Sequence, residues 1–434
     1  RSYEEILDRL YPMAADYAVS VDKEMTNFTG FIHEDNLDRY YDLFRETILA
    51  PAFDQGDFER VRSRTLDRLR YARRYADDEE LCRELLYREI YRGTPYEHPV
   101  DGYVSSVESI TLEDVQSFYA RNYTRDNITV AVGGAFPAGF PEKMRKDYDA
   151  LPAGRPADGP KPLPVPVQGI HVLLVEKDTD SSPVSFGFPI DLLRSDADFY
   201  AMMVFNASTG EHRNPHGRLF QVIRNARGLN YGDYTYIEAF PRASSAQVPP
   251  VNVGRRSQVF EVWLRPVAGE NPDLQHARTL FALRAAMREL GLVLDGGLSP
   301  ERFESTREFL RHYSRNYGRT LNRRLAYRVD DAFYGMEDPG FLASMAPGLD
   351  VLTPEDVRDA VRRRIQIRNL WIVTITRDAA GFREKLVSGI ATPIEYSGPQ
   401  AVQVLEEDKQ IAVVPIPVRE EDIKIIGIDD VFEK

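Results

Sequence analysis

Cysteine is almost absent. Cys82 is the only one in 434 residues. A lone thiol excludes an intrachain disulfide and any metal cluster built on thiolates, and it reads as a core residue. Histidine is scarce as well, with seven in the chain. Only His212 and His216 stand four apart, in GEHRNPHGR. Gly210 and Pro215 interrupt the helix that would have to present both rings, so the segment reads as a loop rather than a metal site. The zinc-helix signature HExxH and its inverse HxxEH are missing, and so are the GxSxG and P-loop patterns. No apolar run approaches the roughly 20 residues that span a bilayer. The chain therefore reads as soluble, cytoplasmic or periplasmic, without a transmembrane segment. The opening RSYEEILDRLYPMAADY lacks the apolar core of a signal peptide. It begins with Arg rather than Met, which leaves open a removed or upstream segment. Basic excess is lacking too, at a formal net charge of -13. Phosphate binding wants a basic footprint, so nucleic acid is not an expected partner. The one basic run, FERVRSRTLDRLRYARRY from Phe58 to Tyr75, reads as a solvated helix face or a subunit contact.

What is present is ordinary globular composition, 43% hydrophobic and 28% charged, over a length that favours two domains. Asp101–Gly134 holds a Thr-capped helix with Glu113 and Asp114 in its first turn, followed by the short apolar run ITVAVGG. The same device returns at Asp350–Thr376. An offset of 242 residues pairs Thr111 with Thr353, Glu113 with Glu355, Asp114 with Asp356, Val115 with Val357, Arg121 with Arg363 and Asn127 with Asn369. The apolar run ITVAV falls on LWIVT in that register, so a strand is expected at both places. A long helix ending near a glycine precedes each unit, Glu79–Gly93 and Asn322–Gly335. A cap, two acids and an apolar run kept in register predict two homologous domains. The expected fold class is α+β, each domain a mostly antiparallel sheet with helices packed on one face. The expected divisions are 1–151 for the first domain, which is short of its opening strands, then a Pro/Gly linker over 152–169. A second domain over 170–390 and an extended C-terminal tail over 391–434 follow.

Few chemical handles remain. In LFQVIRNARGLNYGDYTYIEAF, a helical stretch ends near Gly228 and alternating aromatics begin. Arg224 and Tyr231 stand seven apart across that turn. A planar guanidinium and a phenol on one cleft wall can hold a peptide carbonyl or a developing oxyanion. The bland alternative is an exposed arginine at a helix end and an aromatic packed on a sheet.

These segments resemble the pitrilysin and insulinase-like zinc metallopeptidases, the M16 inverted zincins that include mitochondrial processing peptidase. The pieces that carry the resemblance are FTGFIHEDNLDRYYDLFRETILAPAFDQGDFERVRSRTLDRL, YRGTPYEHPVDGYVSSVESITLEDVQSFYARNYTRDNITVAVGG and RNARGLNY. The resemblance implies homologous α+β domains closing around a peptide chamber. It also implies that Arg224 and Tyr231 reach substrate there, binding it or stabilising the transition state. The metal half departs from the family. HxxEH is expected just before residue 1, and the position of the third ligand, a glutamate in the family, is occupied by Arg68, with Asp67 beside it. The implied function is a substrate-binding, non-catalytic partner of a zinc metalloendopeptidase, forming half of a peptide-binding chamber. No catalytic residue and no metal ligand are expected on this chain. Zn²⁺ is expected on a partner subunit of a homo- or heterodimer, or in a complete active form. The alternatives are an active zinc metallopeptidase whose HxxEH lies upstream, and a non-enzymatic structural subunit of the same fold.

Overall fold

The computed structural model describes residues 1–155, 162–243 and 246–434. Part of the expected linker, 156–161, lies outside the described residues. Residues 162–168 carry neither helix nor strand, as expected where Pro162, Pro164 and Pro166 withhold backbone donors.

The chain is organised around a six-stranded sheet. Its strands are β3 (Ile170–Glu176), β4 (Val184–Ile190), β5 (Asn230–Tyr236), β6 (Gln258–Pro266), β7 (Leu370–Thr376) and β8 (Ile423–Gly427), in the spatial order β5-β6-β4-β7-β3-β8. The pairings β5–β6, β6–β4 and β4–β7 are antiparallel, while β7–β3 and β3–β8 are parallel. The sheet is thus mixed rather than mostly antiparallel. The parallel part arises because β7 and β8 return from long excursions to lie on either side of β3. A separate antiparallel hairpin, β1 (Asp16–Val21) and β2 (Thr26–Phe31), forms in the N-terminal region.

Helices cover both faces of the large sheet, which corrects the expectation of one covered face. Successive side chains of a strand point to opposite sides. Val172 and Leu174 therefore pack with Phe260 and Val262 against the Phe199–Gly210 and Pro272–Gly296 helices. Leu173, Val175, Val373 and Ile375 face the other way, onto Leu81, Cys82, Leu85 and Leu86 of the Asp78–Ile90 helix. That helix belongs to the N-terminal region. The physical signature was in the strands themselves: VLLV is a continuous apolar run, the pattern of a strand buried on both faces. Cys82 is fully buried, its thiol directed at the Val373 carbonyl at 3.1 Å, and burial pushes its pKa up.

The two repeat units share their capping geometry to within 0.1 Å. Thr111 caps Leu112–Asn122 and Thr353 caps Pro354–Arg364. The Asp114 carboxylate accepts from the Thr111 amide at 2.9 Å, and the Asp356 carboxylate from the Thr353 amide at 2.8 Å. Each threonine hydroxyl accepts from the aspartate amide at 3.2 Å. The following runs differ. Leu370–Thr376 forms β7, whereas 128–132 is not a strand. Ile128 and Val132 instead lie against a small cluster with Tyr41, Ile48 and Phe140. Among the described residues no neighbouring strand offers that run its ladder of hydrogen bonds, and an apolar run without one has no sheet to join.

The C-terminal residues are not simply an extended tail. Val402–Ile411 is a helix, and its irregular apolar pattern hid it from a periodicity reading. Beyond it, β8 pairs with β3, and Val431 and Phe432 are buried beside the Asp78–Ile90 helix. The basic run of 58–75 is largely neutralised within the chain. Arg60 and Arg62 pair with Asp57 and Glu59, and the buried Arg74 bonds the Val431 carbonyl at 2.9 Å.

Candidate functional site

Two local irregularities place Arg224 and Tyr231. The helical stretch before Gly228 widens into a π-type turn over Phe220–Asn225, a feature often found at functional sites. Gly228 then adopts φ +62, and the Leu229 amide turns back onto the Ile223 carbonyl at 3.2 Å. This left-handed cap reverses the chain into β5. In β5 the register against β6 jumps from Asn230↔Pro266 to Asp233↔Leu264, so one extra residue sits on β5. Such a bulge re-aims side chains, and Tyr231 lies within it, 62% exposed.

The structure brings the two side chains together. The Arg224 guanidinium donates to the Tyr231 carbonyl at 2.8 Å, and its carbon lies 4.9 Å from the Tyr231 ring centre. It also lies 5.0 Å from the Phe220 ring. Among the described residues Arg224 has no ion pair. A second guanidinium, from Arg265 on β6, lies 5.2 Å from the same Tyr231 ring. Arg265 pairs with Glu79 at 2.5 Å, at the start of the Asp78–Ile90 helix. Burial pushes the Glu79 carboxyl up to about 7; Arg265 opposes the shift, and Asp77, Asp78 and Glu80 reinforce it.

Beneath the bulge, Asn230 donates its amide to the Gly232 carbonyl at 3.0 Å and to the Asp233 carboxyl. Asp233 is 1% exposed, and burial raises its pKa to about 7, against the Asn230 bond and the charge of Arg224. These side chains fix the protrusion of Tyr231 from below. Neither Arg265 nor the Asn230–Asp233 support was picked out from sequence. The available signal was Gly232 inside an otherwise alternating aromatic strand, a mark of a bulge.

The metal half of the expected site is of a different character. Arg68 opens another π-type turn, Arg68–Ala72, directly after the Gln55–Asp67 helix. It pairs with Asp101 at 2.7 Å, and Arg73 pairs with the same carboxylate at 2.8 Å. Asp67 is exposed. An arginine already committed to an aspartate does not fit a zinc ligand position, and Asp101 is neutralised by two cations. Among the described residues no group of three or more His, Cys, Asp or Glu side chains is placed to hold a metal ion. His212 serves structure. Its Nε2 meets the Ala246 carbonyl at 3.0 Å and so carries the proton, which leaves Nδ1 to accept from the Tyr236 hydroxyl at 2.9 Å. His216 is exposed in the loop. The open apolar groove of about 560 Å³ in the N-terminal region, lined by Tyr3, Leu43, Phe53, Phe58, Val61 and Ile110 among others, includes neither Arg224 nor Tyr231. Among the described residues no helix is long and apolar enough to cross a membrane.

Known proteins share parts of this sequence and its fold. A family model described as the Peptidase M16 inactive domain matches residues 109–310. The chain is 26% identical over 255 residues to an uncharacterized zinc protease of Mycobacterium leprae, a match covering 57% of this chain and 56% of that protein. The chain thus spans little more than half the length of that relative. It is 25% identical over 335 residues to the non-peptidase homolog YmxG of Helicobacter pylori, covering 76% of this chain and 70% of that one. Among solved structures, the peptidase M16 inactive domain from Pseudomonas fluorescens superposes with a TM-score of 0.73 at 20% identity, covering 86% of this chain and 84% of that one. A protease from Helicobacter pylori superposes at 0.71 and 15% identity, covering 87% and 85%. These two likenesses speak to the fold. The family model and the superposed structures point the same way: residues 109–310 are similar to the Peptidase M16 inactive domain, and the fold of the chain is similar to that of the solved domain of that description.

Proposed function

We propose that this chain is a substrate-binding, non-catalytic member of an M16 peptidase assembly, forming half of a peptide chamber. In this reading 1–151 and 170–390 are two homologous α+β units joined by 152–169, with 391–434 closing onto the second. Zinc resides on a partner subunit of a homo- or heterodimer in a soluble compartment, cytoplasmic or periplasmic. The observation that carries the reading is the convergence of Arg224 and the exposed Tyr231 at a bulge in β5. Support comes from the position of β5, which is the edge strand of its sheet, so an extended peptide can approach its backbone. Arg224 anchors a substrate carbonyl by a charge-assisted hydrogen bond. The Tyr231 hydroxyl donates to the same backbone. Zinc chemistry is assigned to the partner because Arg68 is paired with Asp101 at the expected ligand position.

The test combines metal analysis with peptide binding. After zinc loading and desalting, the purified chain is expected to retain less than stoichiometric zinc and to show no chelator-sensitive peptide cleavage. It is expected to bind unstructured peptides, and Arg224→Ala is expected to weaken that binding by about tenfold, the scale of one hydrogen bond to a charged group. One tightly held zinc per chain with chelator-sensitive cleavage would overturn the assignment.

A further inference from the structure

We infer that Arg224 and Arg265, gathered on the ring of Tyr231, form a subsite for an acidic side chain of the bound peptide. The inference rests on the peptide-binding reading above and adds a substrate class to it. Two guanidinium carbons lie within 5.2 Å of one exposed aromatic ring. Two cations held to one ring repel each other, and an anion bound beside that ring relieves the repulsion. Their existing contacts leave donors to spare. Arg224 gives one nitrogen to the Tyr231 carbonyl, and among the described residues it has no ion pair. Arg265 engages Glu79 through Nε, which leaves its two terminal nitrogens, and its side chain is 44% exposed. A guanidinium fork matches a carboxylate in shape as well as charge. The surroundings sharpen the contrast, because the chain as a whole carries a formal net charge of -13. A cationic spot on an acidic molecule, beside an edge strand, selects for the peptide side chains that the rest of the surface repels.

Glu79 is the internal competitor. It occupies one side of Arg265 with a carboxylate of its own, its side chain 13% exposed. An acidic peptide side chain therefore competes with Glu79 for Arg265, and it is held only where Arg265 acts together with Arg224. Removing the Glu79 charge leaves Arg265 wholly to the ligand. Removing Arg265 and Glu79 together deletes the subsite without stranding a buried charge.

The experiment uses the full chain immobilised on a surface and two random peptide libraries, both amidated at the C-terminus. The central position is glutamate in one and glutamine in the other. The amidation removes the terminal carboxylate as a source of the same chemistry. The chain is expected to retain the glutamate library about fivefold better at low salt, the scale of an exposed ion pair. That preference is expected to shrink at about 0.5 M salt. Glu79→Gln is expected to increase it, and the Glu79→Gln/Arg265→Gln double variant to reduce it to near parity. Equal retention of the two libraries by the unmodified chain would overturn the subsite and leave the peptide-binding reading in place. A glutamate preference that survives in the double variant would also overturn it. Failure to retain either library would remove the peptide-binding reading, and the subsite with it.

Discussion

Single residues in this chain show how burial turns ordinary side chains into pH-dependent ones. Glu211 is buried at the end of the Phe199–Gly210 helix, and its carboxylate accepts from the Asn206 amide at 3.1 Å. Burial pushes its pKa up to about 7, with Glu238 adding to the shift and Asn206 opposing it. The folded form thus holds a proton that the unfolded chain releases near its ordinary value of about 4.3. Between those values the unfolded chain binds fewer protons. Stability therefore falls as pH rises from about 4 to about 7 and stays reduced above. Glu211→Gln keeps an acceptor for Asn206 and removes the charge. It is expected to stabilise the protein at pH 8 by about 3–4 kcal/mol and to have little effect at pH 4.5. His212 next door works in the opposite direction. Burial holds its imidazole down to about 4, so it weakens the fold as pH falls below about 6.5. Thermal melts of the variant at the two pH values check the prediction, and an equal shift at both would refute it. At this scale the sequence showed which residues were unusual but not their surroundings. Arg224 and Tyr231 stood out by spacing and by resemblance. Arg265 is thirty-four residues further along, and its place on the Tyr231 ring depends on the β5–β6 pairing, which no local pattern encodes.

At the scale of elements, the decisive contact is the Asp78–Ile90 helix on the large sheet. Periodicity predicted the helix and its glycine neighbourhood; it gave no indication of which sheet the helix would cover. The chemistry that keys it there is a buried ion pair. Arg83 donates to both oxygens of Glu261 on β6, at 2.8 and 3.0 Å, and to the Phe240 carbonyl at 2.8 Å. Its guanidinium also lies 4.6 Å from the Tyr236 ring centre. Both partners are buried, so neither charge has water to fall back on. Arg83→Met strands Glu261 and is expected to destabilise the fold by about 3–5 kcal/mol. Glu261→Gln leaves the buried Arg83 only the longer pair with Glu80 at 3.5 Å and is expected to destabilise as well. The double variant is expected to lose less than the sum of the two by at least about 2 kcal/mol, because it leaves no uncompensated charge. Denaturant melts of the four proteins complete the cycle. Additive losses would mean that the helix docks through its apolar face alone. The strand missing at 128–132 belongs to the same scale. Its apolar pattern matches β7 in the repeat, yet a strand is a property of a pair, and the repeat register carries no information about which partners are at hand.

At the scale of the whole molecule, the repeat predicts two units and the contacts between them predict that they do not part. The N-terminal region reaches the sheet through the Asp78–Ile90 helix and again through the start of the chain. Arg255 donates to both oxygens of Asp22, at 2.6 and 2.9 Å, and both side chains are almost wholly buried. The Arg256 amide donates to Glu24 at 2.7 Å. Leu81, Cys82, Leu85 and Leu86 are each 2% exposed or less beneath the sheet. Separating the regions would uncover these apolar side chains, at roughly 25 cal/mol per Å² of surface, and strip the buried charges of their partners. Covalent continuity through 152–169 is therefore dispensable once the protein has folded. A specific-protease site inserted between Pro162 and Val167, where the chain forms neither helix nor strand, provides the test. Cleavage of the folded protein is expected to give two bands under denaturing conditions and one species on size exclusion, with little change in peptide binding. Fragments that separate on the column without denaturant would show that the sheet does not hold the Asp78–Ile90 helix in solution. The Arg265–Glu79 contact beside Tyr231 would then be lost as well, since Glu79 is carried on that helix.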